Sequence, residues 1–442
     1  MPLVNLTEEQ IVQLAPDAAS VKAGKGLAAK AKWVLLEFSE RAIWGHCQGS
    51  GKVPYQTVID IHHIAFKCSC PSRKFPCKHG LGLLLLYAAH PDFFVQAEEP
   101  EWVNAWLAKR EEKAEKQEQK ARQEAPVDEA AQAKRQAARH QKVLHGIEDL
   151  QMWLTDLLRN GFLHIPEQAY SLFDDMARRM VDAQAPGLAL RLKNLQEMNY
   201  LNESWKYELT NRLSKIYLLS EAYKHLEQQP ADWQHEIRTL IGYPQAKEEI
   251  LARESFADYW LVLHKRSRKV NDLNTCAYWL YGQQTERFAL YMSFTAPGAM
   301  PEQTLVPGSI YEGELCFYQG VRPIRVLFKS CRLSEMSFLP VFCKNLQEAA
   351  GRYRQILQDN PFATEIPLLI ERVRLAQQEE QFFLMDSTGR AMPICIEESI
   401  RPDLLSITGG KAFAVFLLAG ATTWRLHSIW YSSTYYFWKD ER

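Results

Sequence analysis

The chain has 442 residues, of which 47% are hydrophobic and 24% are charged, and its formal net charge at pH 7 is -1. The composition is typical of a soluble globular protein, and the length predicts two or three domains. Because the charge is nearly balanced, an overall electrostatic attraction to nucleic acid is excluded, and any such contact needs a local cationic patch. The first residues lack a signal-peptide pattern, and no apolar run reaches the length of a membrane span. We therefore expect a cytoplasmic protein.

Residues 1–100 are predicted to form the first unit. A short helix is expected around Thr7–Leu14. Strands are expected over Lys32–Trp44 and Tyr55–Ile61, where apolar and β-branched residues are frequent. The apolar run Leu81–Ala89 stops just before a proline, which predicts a buried helix.

Cys68, Cys70, Cys77 and His79 lie immediately before this predicted helix. Three thiols and one imidazole suit tetrahedral Zn²⁺, and four protein ligands leave no open position for water or substrate. A closely spaced cysteine pair in a reducing compartment more often binds a metal than forms a strained disulfide. The cluster therefore predicts one structural zinc ion. The remaining cysteines are single and are expected to be structural thiols: Cys47, Cys276, Cys316, Cys331, Cys343 and Cys395.

Four basic residues surround these ligands: Lys67, Arg73, Lys74 and Lys78. If they share one face, they could neutralise several phosphates of a nucleic acid, and binding would depend strongly on salt. The alternative is that they keep a small domain soluble and offset the negative charge of three thiolates on Zn²⁺. Both interpretations remain open from the sequence.

Residues 101–142 are predicted to be a charged helical or flexible linker. Of the 35 residues 108–142, 32 are Lys, Arg, Asp, Glu, Ala or Gln, so this segment cannot bury a core. Residues 143–254 are predicted to be a helical domain. Their apolar residues recur at helical spacing, first in the series Ile147, Leu150, Leu154, Leu157 and Leu158.

Residues 255–442 are predicted to be an α+β, strand-rich domain, because their apolar segments are rich in aromatic and β-branched residues. One helix is expected at Lys344–Gln358, and Glu379-Glu380 is expected to link two strands. A second basic cluster, Leu263–Lys269, is expected to be a solvated loop at a strand end. No nucleophile elbow, HExxH motif or partnered acidic pair is present, so we expect no catalysis.

The pattern Cys68-x-Cys70, six residues, Cys77-x-His79, preceded by strands and followed by an apolar helix, resembles the SWIM-type zinc finger. Residues 44–55 and 180–188 are also similar to bacterial SWIM-domain proteins of about this length, so the resemblance covers most of the chain. It implies that the four residues bind zinc and that the module contacts DNA or protein. It also implies a MoxR-group AAA ATPase or a von Willebrand A protein as the partner.

The sequence thus predicts an α+β multidomain protein. Its parts are a small, zinc-stabilised, ββα-like N-terminal SWIM unit, a helical middle region and a mixed α+β, β-rich C-terminal region. We expect a non-catalytic interaction or adaptor protein with a protein partner and with no membrane or small-molecule partner. DNA binding through the four basic residues near the finger is the alternative, and an enzyme with an unrecognised C-terminal site is the third hypothesis.

Overall fold

The computed structural model describes residues 6–49, 51, 53–72, 74–122, 129–270, 273–296, 301, 303–398, 400–421 and 423–438. Within these residues the chain is an α+β multidomain protein with three β-sheets, as the sequence predicts. None of the described helices combines the length and the hydropathy that crossing a bilayer requires.

The N-terminal unit is built on a five-stranded sheet. Its strands are β1 (Trp33–Phe38), β2 (Ala42–Cys47), β3 (Tyr55–Asp60), β4 (Ala65–Cys68) and β5 (Val95–Gln96), in the order β4-β3-β2-β1-β5. The expected single strand over Lys32–Trp44 is wrong, because β1 and β2 are joined by a tight turn. Ser39 closes this turn, since its backbone N–H donates to Ala42 O and its hydroxyl accepts from the N–H groups of Arg41 and Ala42.

Helices cover both faces of this sheet. They are α1 (Glu8–Val12), α2 (Ala18–Lys25), α3 (Lys78–Ala89) and α4 (Glu101–Arg122). The predicted helices α1 and α3 are confirmed, and Thr7 and Gln10 form a capping box at the start of α1. Val103 and Leu107 of α4 pack against Trp44 on the face opposite α3, so the start of α4 belongs to the N-terminal core.

The middle region is helical, as predicted. It contains α5 (Glu129–Asn160), α6 (Ile165–Asp182), α7 (Pro186–Gln196), α8 (Trp205–Lys224), α9 (Ala231–Ile241) and α10 (Lys247–Leu251). Ile147, Leu150 and Leu154 of the predicted apolar stripe are buried in one core with Phe173 and Leu213. Leu158, which we assigned to the same stripe, is instead exposed.

The C-terminal region begins with a closed five-stranded barrel. Its strands are β6 (Ser255–Val270), β7 (Leu273–Gly282), β8 (Phe288–Thr295), β9 (Ile310–Phe317) and β10 (Arg325–Ser334). β6 is long enough to pair with β9 through its first half and with β7 through its second half. The ring closes through β10, which runs antiparallel to β9 and parallel to β8. The expected loop over Leu263–Lys269 is wrong, because these residues lie within β6.

A second set of strands follows the barrel: β11 (Ile366–Gln378), β12 (Gln381–Met385), β13 (Ala391–Cys395), β14 (Phe413–Ala419), β15 (Trp424–Tyr431) and β16 (Thr434–Phe437). The helix α11 (Leu346–Asp359) precedes these strands, and the helix α12 (Ile400–Thr408) lies between β13 and β14. β11 pairs with both β12 and β14, and β13 pairs in parallel with β15. The predicted helix at Lys344–Gln358 is confirmed as α11, and Glu379 and Glu380 do form the turn between β11 and β12.

The two sets share one topology. In each, the first strand pairs with the second and the fourth, the fourth pairs with the fifth, and the third and fifth strands are parallel. This order, 1-2-3-5-4, is that of the OB-fold, a five-stranded Greek-key barrel. The protein therefore ends in two tandem OB-type barrels, which the sequence analysis did not foresee.

The barrels pack firmly on each other and on the N-terminal unit. Leu263 and Trp279 of the first barrel share an apolar cluster with Phe416 and Trp430 of the second. On the opposite side, the Leu333 N–H donates to His62 O at 3.0 Å, and Val306 is buried in the N-terminal core. These contacts fix the N-terminal unit against the first barrel.

Candidate metal centre

The four cysteine and histidine residues converge at the junction between a hairpin and a helix. Cys68 is the last residue of β4, and Cys70 follows in the next turn. Cys77 occupies the N-cap of α3, and His79 lies in the first turn of that helix. The predicted ββα order is therefore present as β3, β4 and α3, embedded in the larger five-stranded sheet.

The ligand atoms of Cys68, Cys70, Cys77 and His79 all lie within 4.8 Å of one another. The Sγ of Cys68 is 3.7 Å from the Nδ1 of His79. A tetrahedral zinc ion with ordinary Zn–S and Zn–N bonds separates a sulfur and a nitrogen ligand by about 3.6 Å. The donor set and its spacing therefore fit Zn²⁺. Among the described residues, no other group of three or more Cys, His, Asp or Glu side chains is brought this close.

Hydrogen bonds favour ionisation of one thiol of the cluster, that of Cys77, whereas the hydrogen bond with Cys77 raises the pKa of Cys68 and burial raises the pKa of Cys70. Contacts with the Cys68 thiol, with His79 and with the Gly80 N–H lower the pKa of Cys77, although burial opposes ionisation. This residue lies at a helix N-terminus, where a thiolate is favoured. The Thr57 hydroxyl lies 3.2 Å from the Sγ of Cys68, and β3 holds it opposite that residue in the β3–β4 ladder. Thr57 thus supports the ligand from outside the motif, which the sequence analysis missed.

Apolar packing holds the ligands in place. The Tyr55 ring lies 4.8 Å from the His79 ring, centroid to centroid. A Cβ atom on Gly80 would approach Cδ1 of Phe66 to 2.8 Å, so the helix can pass this close to β4 only with glycine at that position. The sheet and α3 therefore fix the metal centre from two sides.

The four basic residues near the metal centre, Lys67, Arg73, Lys74 and Lys78, do not form one uniform surface among the described residues. Lys67 on β4 and Lys78 at the start of α3 are exposed. Lys74 binds Asp17 at 2.6 Å, and this hydrogen bond is the main reason that the pKa of Asp17 is lowered to about 2. Arg73 lies outside the described residues. Lys74 thus already has an acidic partner within the chain.

A groove of about 750 Å³ lies between the N-terminal unit and the first barrel. His63 on its wall pairs with Asp60 at 3.0 Å, and Arg332 pairs with Glu312. The Asp258 carboxylate accepts hydrogen bonds from the turn at residues 284–285. The ionisable groups named here have structural partners.

The metal centre and the fold define a zinc-finger protein with a helical bundle and two barrels. Residues 67–88 match the family model of the SWIM zinc finger, and residues 138–241 match that of the SWIM-associated four-helix bundle domain. The chain therefore contains a SWIM zinc finger, in which the cluster of Cys68, Cys70, Cys77 and His79 is compatible with a zinc site, together with the bundle that accompanies this finger. A search of curated proteins found no match to the chain.

Proposed function

We propose that the protein is a cytoplasmic, non-catalytic adaptor that binds protein partners through surfaces held in place by its zinc finger and its bundle. The observation that carries this proposal is the distribution of exposed apolar side chains. Among the described residues, ten of the twenty exposed large apolar side chains lie within residues 138–241, although this segment is about a quarter of the chain. Single exposed apolar side chains are ordinary and large apolar patches mark binding sites, so it is the concentration within one segment that supports a protein-binding surface there.

Four of these side chains are especially open: Leu163, Tyr170, Leu201 and Tyr207. Leu201 is 96% exposed in the turn between α7 and α8, where its side chain contributes little to packing. Tyrosine is enriched in protein interfaces because it offers both a large apolar ring and a hydroxyl group. These features favour a protein partner over a small ligand.

The absence of catalysis is part of the proposal. Four protein ligands fill the coordination sphere of a zinc ion, so no position is left to activate water. The charged groups described in the large groove are paired with each other, which supports a structural role for them. For the partner, the resemblance to bacterial SWIM-domain proteins favours a MoxR-group AAA ATPase or a von Willebrand A protein.

The proposal is tested with the purified full-length chain and the purified MoxR-group ATPase and von Willebrand A protein of the same organism. Binding measured by calorimetry should be present for the wild type and at least about tenfold weaker for the double variant Leu201→Ser with Tyr207→Ser, since apolar anchors dominate interfaces. The matched control is Leu339→Ser, an exposed leucine outside the bundle, which should bind like the wild type. Binding of neither protein, or equal binding by both variants, would contradict the proposal.

Nucleic-acid binding at the finger is the second candidate. It is favoured by the exposure of Lys67 and Lys78 and by Phe75, which is 37% exposed and therefore not packed under the metal loop. An exposed aromatic ring beside cations can stack on an unpaired base. The pairing of Lys74 with Asp17 weakens this candidate.

A further inference from the structure

The hairpin that joins β6 and β7 extends from the first barrel with a basic and aromatic outer surface. Arg268 and Lys269 are exposed at the end of β6, and Phe294 on β8 is 53% exposed. Lys265 is different, because its ammonium group lies over the ring of Tyr278 inside the barrel and burial lowers its pKa. Because side chains alternate along a strand, Arg268 lies on the outer face of the hairpin, whereas Lys269 lies on the same face as Lys265.

Strand register places Arg268, Thr275 and Phe294 in one row on the outer face. Arg268 is opposite Thr275 on β7, and Thr275 is opposite Phe294 on β8. Residues directly opposite each other point to the same side of a sheet, so the cation and the ring flank Thr275, about 10 Å apart. The side chains in this row face away from the barrel interior, as Trp279 does farther along β7.

The hydroxyl of Thr275 is a second, independent indication of a binding site in this row. It is only 9% exposed, and its hydroxyl has no hydrogen-bond partner among the described residues. A buried hydroxyl without a partner is unfavourable, and in native structures such a group usually has an explanation, often an absent ligand. This hydroxyl lies between an exposed guanidinium group and an exposed ring.

The position of the row within the barrel indicates the ligand. OB-type barrels bind oligonucleotides and oligosaccharides on the face of their second and third strands and on the loop between the first and second strands. Thr275 and Phe294 lie on those two strands, and Arg268 and Lys269 lead into that loop. A ring that can stack on a base, beside a cation for a phosphate, favours an oligonucleotide over a neutral sugar.

We propose that this row, formed by Arg268, Thr275 and Phe294, binds a single-stranded nucleic acid. One base stacks on Phe294, the Arg268 guanidinium group neutralises a flanking phosphate, and the Thr275 hydroxyl donates to a phosphate or base oxygen. Single strands are favoured over duplexes because only an unpaired base offers its face to a ring. This site goes beyond the proposed adaptor function and lies on a different unit of the chain from the finger and the bundle.

The second barrel provides an internal contrast. The turn between its first two strands carries Glu379 and Glu380, and both are exposed. By register, the residues of the second barrel that correspond to Arg268 and Lys269 are the uncharged Ala376 and Gln377. Because phosphates are repelled by carboxylates, the proposed site belongs to the first barrel alone.

The test uses the full-length chain, labelled oligonucleotides of about 16 nucleotides and fluorescence anisotropy at several salt concentrations. Single-stranded DNA, single-stranded RNA, duplex DNA and a sulfated oligosaccharide form the four arms. We expect both single strands to bind more tightly than the duplex or the sugar. Phe294→Ala should weaken binding at least about fivefold, through lost stacking. Arg268→Ala should reduce the slope of log K against log salt by about 0.7, the contribution of one phosphate contact on a single strand.

Thr275→Val separates a binding role from a structural one. The change removes an unpartnered buried hydroxyl at nearly constant shape, so the thermal stability of the free protein should be unchanged or higher. Binding should nevertheless weaken about twofold to tenfold. Unchanged binding by this variant would remove Thr275 from the site.

Control variants on other parts of the chain test where the nucleic acid binds. Arg374→Ala with Lys411→Ala removes two exposed cations from the second barrel, and Leu201→Ser with Tyr207→Ser alters only the bundle. Both should bind nucleic acid like the wild type. Loss of binding in Lys67→Ala with Lys78→Ala, with no loss in the hairpin variants, would overturn the proposal and assign binding to the finger. No single-strand binding at low salt, or equal binding of the sulfated sugar, would also overturn it.

Discussion

Asp386 joins α11 to the second barrel through a single buried carboxylate. It accepts hydrogen bonds from the backbone N–H of Leu346 at the start of α11 and from the N–H groups of Thr388 and Arg390 in the turn after β12. The Thr388 hydroxyl donates to it as well. Burial opposes ionisation of this group, but the hydrogen bonds outweigh that effect, so the pKa of Asp386 is lowered.

Stability at low pH should therefore depend on this residue. A carboxyl group whose pKa is lower in the folded state stabilises the fold above its unfolded value of 3.8, and this stabilisation is lost as the pH falls through the lower folded value. Asp386→Asn should lower the free energy of unfolding at pH 7 by about 1–3 kcal/mol, because buried donors lose their acceptor. Urea unfolding of both proteins between pH 7 and pH 3 should show the difference shrinking below pH 4. A constant difference across this range, or an equal loss in the exposed control Glu379→Gln, would contradict the argument.

At the scale of single elements, local signals predicted α1, α3, α11 and the convergence of the four Cys and His residues, but they did not predict α2 or α12. Thr7 at an N-cap, a proline after Ala89 and four ligands within twelve residues are all readable from short stretches of sequence. The Ser39 turn was missed because its one turn signal is the serine itself, and a serine hydroxyl is a weaker turn signal than Gly, Pro, Asn or Asp. Its geometry depends instead on a serine side chain bound to the backbone.

Barrel closure could not be predicted in the same way. The parallel pairs β8–β10 and β13–β15 join strands that are far apart in sequence, and no local pattern specifies them. The basic residues of Leu263–Lys269 were mistaken for a loop because charges usually mark solvated segments. In the barrel they alternate between the interior, where Lys265 meets Tyr278, and the outer face. The pairing of Thr275 with Phe294 likewise becomes visible only in the folded sheet.

The contact between α2 and α3 depends on two glycines. A Cβ atom on Gly82 would lie 2.7 Å from Cβ of Leu27 and 3.1 Å from the backbone oxygen of Gly24. A Cβ atom on Gly24 would in turn lie 2.9 Å from Cβ of Leu81. The helix that carries His79 can therefore approach α2 this closely only because these positions lack side chains.

Gly82→Ala should destabilise the N-terminal unit by about 1–3 kcal/mol, since the added methyl group meets atoms that cannot move freely. Gly351→Ala in α11 is the matched control. Nothing lies within 4 Å of its added Cβ atom, so the usual helix preference for alanine should raise stability by up to about 1 kcal/mol. Denaturant unfolding of the two variants should thus give opposite signs. The same sign for both would show that helix propensity, and not the contact between helices, decides the outcome.

At the scale of the whole molecule, the zinc finger is coupled to the first barrel through a few specific contacts. Gln10 Nε2 donates to Pro307 O at 3.1 Å, and Val306 is buried in the N-terminal core. The Leu333 N–H also donates to His62 O. The bundle and the second barrel have separate apolar cores, in which none of the described N-terminal residues takes part. Loss of the metal should therefore affect the chain unevenly.

Zinc binding in small fingers contributes about 10–16 kcal/mol of folding free energy, which a sheet of five short strands cannot replace. Elemental analysis should find about one zinc per chain, and Cys77→Ser should lose it, whereas Cys395→Ser, far from the site in sequence, should keep it.

After chelation, hydrogen exchange should show lost protection in β3, β4 and α3 and partial loss near Val306 and Leu333. The bundle should keep its protection, because its core contains none of the described residues of the finger. Uniform loss across all units would mean that the chain folds as one cooperative body, and no loss at all would contradict the structural role of the metal.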